Sequence, residues 1–323
     1  MTVRLATRSS PLARWQAEHV AGLLRGIGSE VELVLVDTAG DRDVERPIRE
    51  LGGQGAFVKE VQAAVLDGRA DVAVHSAKDL PSSPALQAPG LVLAAVPARG
   101  DPRDALVGRR LDELSPGAVV ATGSSRRRAQ IADLRPDLTF VELRGNIATR
   151  LGKVPRSGAL VMAAAALQRL GLDGEAAEVL APEVLLPQVG QGALALECRA
   201  GDDATRAALA GLEHPPSRMA VDAERGYLAR LGGGCELPAA AHATVMADGR
   251  LRLRVLLATF DGRQVLRHEV AGGPDDDPTE LGQAAGDALL GPGGGRSLLE
   301  GAADGGARAP AVREAVPTPP PLR

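Results

Sequence analysis

Short aliphatic runs alternate with helix-period segments from the first residues onward, and that alternation constrains the fold more than any other feature of the chain. VRLA (3–6) precedes a helical pattern over 11–24, VELVLV (31–36) precedes one over 57–66, and DVAVHS (71–76) and LVLAAVP (91–97) follow. Strands separated by helices in this way predict βαβ units on a parallel sheet. After a polar loop, RGDPRD (99–104), the alternation restarts with AVVAT (118–122), a helix over 124–134, TFVEL (139–143), another helix and ALVMAA (159–164). A second domain of the same kind is expected. ALALECRA (193–200) is one more strand, which could join either sheet.

From Pro238 the pattern changes. Residues 242–270 contain two Asp-Gly turns between alternating runs, which predicts an antiparallel meander in a third, smaller domain, with a helix over about 278–290 covering one face. Beyond Gly291 the chain becomes Gly- and Pro-rich, and 304–323 read as a tail that buries too little apolar surface to order itself. The two βα halves could be distant structural repeats.

Composition narrows the function classes. The chain has 323 residues, room by length for about two ordinary domains. Hydrophobic residues make up 45% and aromatics only 2%, so Leu, Val and Ala must fill the cores. Thirty-seven basic against 41 acidic residues leave a net charge of −4, which argues against a nucleic-acid grip by the whole protein. Lysine occurs only at 59, 78 and 153, so arginine carries nearly all the positive charge, in line with codon bias in a GC-rich genome. Two cysteines form no disulfide framework, and the N-terminal MTVRLATRSS has charges where a secretion signal needs apolar residues; a cytoplasmic address is expected. The most apolar window, 90–98, falls far short of the roughly 18 residues that cross a bilayer, so no membrane partner is expected.

In open α/β sheets ligands bind beyond the carboxyl ends of the strands. Those loops are unusually polar here: Thr7-Arg8-Ser9-Ser10, His75-Ser76-Ala77-Lys78-Asp79, Thr122-Gly123-Ser124-Ser125-Arg126-Arg127-Arg128 and Arg144-Gly145-Asn146. Both domains thus aim hydroxyls and cations toward one cleft. Arg126 and Arg127 open a helix, where free N–H groups and the helix dipole already favour an anion and a guanidinium adds paired donors. The other possibility is a solvated helix face whose arginines pair with Asp133 and Glu142. Asp79, between Lys78 and a proline two residues on, could stabilise a cation or shuttle protons, or could simply cap a turn. His75 reads as a core or loop histidine, and the histidines and cysteines are scattered without metal-ligand spacing.

The cysteines differ in context. Cys198 shares one strand face with Leu194 and Leu196 and should be a small core residue. Cys235 follows three glycines and precedes Glu236-Leu237-Pro238, so a loop could present its sulfur, whether as a nucleophile or as an inert thiol.

Taken in order, ATRSSPLA (6–13), HSAKDLP (75–81), DPRDAL (101–106), TGSSRR (122–127), LRGN with TRL (143–151), LPQVGQGALALECR (186–199) and GGGCELP (232–238) resemble the porphobilinogen deaminase family, also called hydroxymethylbilane synthases. The resemblance covers roughly residues 3–290. It implies two doubly wound α/β domains like those of periplasmic binding proteins plus a small α+β C-terminal domain. Residues 1–97 with 193–212 would form the first domain, 98–192 the second and 213–303 the third. It also implies an enzyme that joins porphobilinogen units into hydroxymethylbilane with loss of ammonia, primed by a covalent dipyrromethane cofactor. By motif, Cys235 is the attachment residue and Asp79 the catalytic aspartate. Arg8, Ser10, Lys78, Arg126, Arg127, Arg144 and Arg150 would bind side-chain carboxylates, with Thr122, Ser124 and Gln191 as hydrogen-bonding neighbours.

One segment departs from the family pattern: IRELGGQGAF (48–57) has Glu50 and Gln54 where many relatives carry lysines, although Phe57 matches. A two-lobed solute-binding module would share the arginine-lined cleft but gives no role to Cys235. Nucleic-acid binding through 126–128 conflicts with the overall charge and the near absence of stacking aromatics. The expectation is therefore an enzyme acting as a monomer on a small molecule.

Overall fold

The computed structural model describes residues 2–38, 58–143, 145–232 and 237–303. Strand β1 (Thr2–Arg8) runs into Ser10, whose Oγ accepts the Ala13 amide at 3.4 Å and caps α1 (Pro11–Gly26). Pro11 lacks an N–H and so suits the first helical turn. Helix α1 buries Gln16, Ala17, Val20, Ala21 and Leu24, a stripe at three- and four-residue spacing. There follow β2 (Glu30–Val36), α2 (Lys59–Leu66), β3 (Val72–Ser76) and β4 (Leu91–Ala95). Val3, Leu5, Val72 and Val74 pack under α1, while Ala6 and Ala73 on the opposite face meet Val61 and Val65 of α2.

The second lobe comprises β5 (Asp104–Gly108), β6 (Val119–Ala121), α3 (Ser125–Leu134), β7 (Thr139–Val141), α4 (Ile147–Leu151), β8 (Ala159–Ala163), α5 (Ala164–Arg169) and β9 (Ala176–Leu180). The chain then supplies β10 (Leu194–Arg199) to the first sheet, followed by α6 (Asp203–Ala210). The two five-stranded sheets have matching orders, β2-β1-β3-β10-β4 and β7-β6-β8-β5-β9.

Neither sheet is purely parallel, which corrects the expectation from the alternation. β10 runs antiparallel to β3 and β4, and β5 runs antiparallel to β8 and β9. The physical reason is where these strands enter. Leu194 lies opposite Ser76 and Asp104 opposite Ala163, so each begins at the carboxyl end of the strand it pairs with, β3 or β8, where the chain has just crossed from the other lobe. No crossover helix is needed to bring it there.

The third unit holds α7 (Pro215–Arg230), the meander β11 (Ala239–Val245), β12 (Leu251–Ala258) and β13 (Val265–Gly272), then α8 (Pro278–Leu290) and α9 (Gly295–Ala303). Tyr227, Leu253, Val255, Leu257, Ala285 and Leu289 share its core, so α7 and α8 both cover the meander. The helices approach closely because each offers a glycine. A Cβ on Gly226 would stand 2.3 Å from Thr279 O, and one on Gly282 would stand 2.0 Å from Ala223 O. This unit packs on the second lobe through Ala129, Leu186, Ala240 and Leu256. No described helix is long and apolar enough to cross a membrane.

Candidate active site

Asp79 closes a single turn of 3-10 helix, Ala77–Asp79, at the carboxyl end of β3. With Arg8, Ser10, Gln16, His75 and Ser76 it lines a cleft beyond the ends of β1 and β3. Gln16 Nε2 donates to Ser76 Oγ at 2.9 Å, and Ser10 serves as the α1 cap. Lys78 is mostly buried. Burial lowers its ammonium pKa to about 8, opposed by Asp79 and Asp104 and reinforced by Arg127 and Arg126. The Asp79 turn of the first lobe is thus within electrostatic reach of the arginines of the second.

In the second lobe, Thr122 Oγ1 accepts the Ser124 amide at 3.2 Å and Ser124 Oγ accepts the Arg127 amide at 3.4 Å, so both hydroxyls shape the start of α3. Each O–H hydrogen is left to donate elsewhere. Arg126 and Arg127 are buried, 2% and 7% exposed, and neither pairs with Asp133 or Glu142. Their common partner is Asp104, itself fully buried: Arg127 Nε and Nη2 donate to Oδ1 at 3.0 and 2.7 Å, and Arg126 Nη1 stands 2.8 Å from Oδ2. The solvated-face possibility is thereby overturned; Asp133 pairs instead with Arg267 of the third unit. Burial works to raise the Asp104 carboxyl, but the two guanidiniums hold it well below the usual carboxylate range. Arg126 Nη1 also donates to Leu186 O at 2.6 Å. Arg126 Nε and Nη2, both buried, have no hydrogen-bond partner among the described residues.

Gln191 sits where the two crossings between lobes meet. Its Nε2 donates to Pro102 O at 2.7 Å and to Asp104 Oδ1 at 2.9 Å, so its amide hydrogens stitch the crossing. Gly100 N donates to Gly192 O at 3.0 Å, and a Cβ on Gly192, whose φ is +85°, would meet Gly100 O at 2.6 Å. Gly190 (φ +70°) packs so tightly that a Cβ would stand 3.0 Å from Lys78 N. Only glycine allows the second crossing to lie against the Asp79 turn.

Arg150 follows the Asn146 cap of α4, and its Nε donates to Gly145 O at 2.7 Å. Arg144 and Cys235 lie outside the described residues, as do Glu50, Gln54 and Phe57. The described chain leaves α7 at Gly232 and resumes at Leu237, which packs on the third core. Cys198 is fully buried, as its strand face predicts, and burial pushes its thiol up.

Three acids beside the site are not singled out by local sequence: Asp104, Glu197 and Glu224. Glu197 stands 3.1 Å from His75 Nε2 and accepts Gln62 Nε2 at 2.8 Å. Glu224 takes Arg99, the Gly190 amide and the Ala243 amide. One signal exists for Glu197, an acid inside the otherwise apolar run ALALEC.

Two α/β lobes of matching strand order, joined by a stitched double crossing, with a polar cleft at the Asp79 turn of the first and a buried arginine–aspartate cluster in the second, define a two-lobed protein. Solved structures similar to this chain include the methionine binding protein MetQ, with 13% identity and TM-score 0.41, covering 65% of this chain and 88% of that one. A nutrient binding protein from Burkholderia cenocepacia bound to methionine matches with 14% identity and TM-score 0.40, covering 70% and 94%. The family model described as porphobilinogen deaminase, dipyromethane cofactor binding domain, matches residues 3–207, and the porphobilinogen deaminase C-terminal domain matches 219–291. A porphobilinogen deaminase of Acidothermus cellulolyticus is 49% identical over 290 residues, covering 87% of this chain and 86% of that protein. One from Pelobacter propionicus is 45% identical, covering 92% and 96%. The chain belongs to the porphobilinogen deaminase family.

Proposed function

We propose that this chain joins porphobilinogen units head to tail into hydroxymethylbilane, releasing ammonia at each addition, from a dipyrromethane primer held as a thioether on Cys235. The observation that carries this is the Arg126 guanidinium, buried on Asp104 with Nε and Nη2 unpartnered among the described residues. A buried donor without an acceptor costs about 1–3 kcal/mol, so the arrangement suits a ligand that brings its own carboxylates. Pyrroles bearing acetate and propionate arms do so. Arg127, Lys78, Arg8 and Arg150, with Arg144, extend the same cationic lining, and Thr122, Ser124 and Ser10 add hydroxyls.

When bound, the primer supplies a nucleophilic pyrrole carbon. Asp79 holds the positive charge that develops on the substrate as its C–N bond breaks and ammonia leaves. The same carboxylate would then stand where it can take up the proton that the new C–C bond displaces. One carboxylate about 4 Å from such a charge, at an effective dielectric near 20, contributes about 4 kcal/mol, roughly a thousandfold in rate if it acts only on the transition state. Lys78, Arg126 and Arg127 hold the substituent carboxylates and so keep the reacting rings in place.

The same proposal divides the chain into 1–97 with 193–212, 98–192 and 213–303, supported by the three separate sheets and their cores. The test is intact-protein mass together with Ehrlich reagent. The wild type should exceed its sequence mass by a dipyrromethane and colour, and Cys235→Ser should do neither. An active wild type without the excess mass overturns the assignment.

A further inference from the structure

The turn that carries Asp79 is three residues long, with no side-chain cap, and its own closing bond is Leu80 N to Ala77 O at 3.3 Å. So short a turn does not fix its own position. On one side Ala77 N donates to Ala193 O at 3.0 Å. On the other, Arg225 reaches across from α7: its Nη2 donates to Pro81 O at 2.8 Å and its Nη1 to Leu80 O at 3.4 Å. Arg225 is partly buried, and the charges of Asp222, Glu197 and Arg218 act on its guanidinium. Helix α7 continues only as far as Arg230, capped by Leu231, and the chain then enters the segment that holds Cys235. From Arg225 to Leu231 is roughly 9 Å of helix at 1.5 Å per residue.

We infer that Arg225 is a positioning residue for the reaction: it fastens the Asp79 turn to the rigid helix that leads to the proposed tether, and so sets the carboxylate's place relative to the primer. This rests on the proposed roles of Asp79 and Cys235. The neighbouring residue on the helix, Glu224, holds the crossing between lobes, whereas the hydrogen bonds that Arg225 donates among the described residues go to the backbone just after Asp79. Its loss should therefore act on turnover more than on capture of the primer or the substrate.

The test uses holoprotein of the wild type, Arg225→Met and Arg225→Lys. Arg225→Met should keep the full excess mass and a KM within about threefold of wild type, while kcat falls about tenfold to a hundredfold, the scale of a misplacement near 1 Å. Amide exchange should quicken at 77–80 and stay unchanged in β3. Arg225→Lys, which offers one ammonium to the same carbonyls, should regain part of the kcat and of the protection. Unchanged kcat in Arg225→Met, unchanged exchange at 77–80, or exchange that quickens throughout the protein would each overturn the inference. Should Arg225→Met fail to fold, Arg225→Lys decides: wild-type exchange at 77–80 and wild-type kcat would overturn it, and a partial loss of both supports it. A wild type without the excess mass would sink the proposed function instead, because the exchange at 77–80 is read without reference to the primer.

Discussion

Arg99 donates to both carboxylate oxygens of Glu224, Nη1 to Oε1 at 2.7 Å and Nη2 to Oε2 at 3.1 Å. Glu224 also accepts the Gly190 amide at 2.7 Å and the Ala243 amide at 2.9 Å. One buried carboxylate thus joins the first crossing, the second crossing and the edge of the third sheet. Removing one partner of such a pair strands a charge, which costs about 3–5 kcal/mol. Arg99→Met should lower stability by that order in denaturant unfolding, and the double variant Arg99→Met, Glu224→Gln should lose less than the two single losses added together. Additive losses would mean the pair is not coupled.

Acid should undo the Asp104 cluster. Because the folded carboxyl titrates below its unfolded value, its contribution to stability is fully present above about pH 4 and is lost as the pH falls toward the folded value. Asp104→Asn should therefore be less stable than wild type at pH 7, and the gap should narrow below pH 4. A gap that is independent of pH counts against the pairing with Arg126 and Arg127.

An alkaline limb is expected from Lys78. Its ammonium is charged below a pKa of about 8 and neutral above it, so a carboxylate held by Lys78 is released as the pH rises through that value. The kcat/KM profile should fall on that side, and Lys78→Arg, charged throughout, should move the limb upward. An unmoved limb assigns it to another group.

Turnover should separate the proposed site residues from surface ones. Asp79→Asn should retain the wild-type melting temperature while turnover drops at least about a hundredfold. Arg126→Leu should weaken substrate capture or stall elongation. Arg250→Leu, which removes an exposed pair with Asp248, should change neither, since such pairs contribute about 0–1 kcal/mol. Near-normal turnover in Asp79→Asn, or equal effects at the two arginines, would contradict these roles.

The elements that local chemistry announces are the ones legible in the chain. Ser10-Pro11 and Asp277-Pro278 mark helix starts, and the two Asp-Gly pairs mark the turns of the meander. Helix α7 escapes notice because its cap is a histidine and Gly226 interrupts it, a glycine needed for the approach to Thr279 rather than for the helix. β5 and β9 are five residues each and carry Asp104 and Glu178, acids that break an apolar strand pattern, and Asp104 ends the segment that reads as a polar loop. Within the site, the motif residues Arg8, Ser10 and Asp79 do share a cleft. The partner of Arg126 and Arg127 lies more than 20 residues upstream, on a strand that only the crossing between lobes brings alongside, so helix spacing points to the wrong acids.

The interleaving of the two sheets also sets an order of assembly. All five strands of the second sheet lie between Asp104 and Leu180, whereas the first must wait for Leu194–Arg199. As the polypeptide emerges from the ribosome, the lobe made second is therefore the first able to complete its sheet. The N-terminal lobe matures later, and a nascent chain halted before residue 194 would present the open flank of β3 to chaperones or to its neighbours on the polysome.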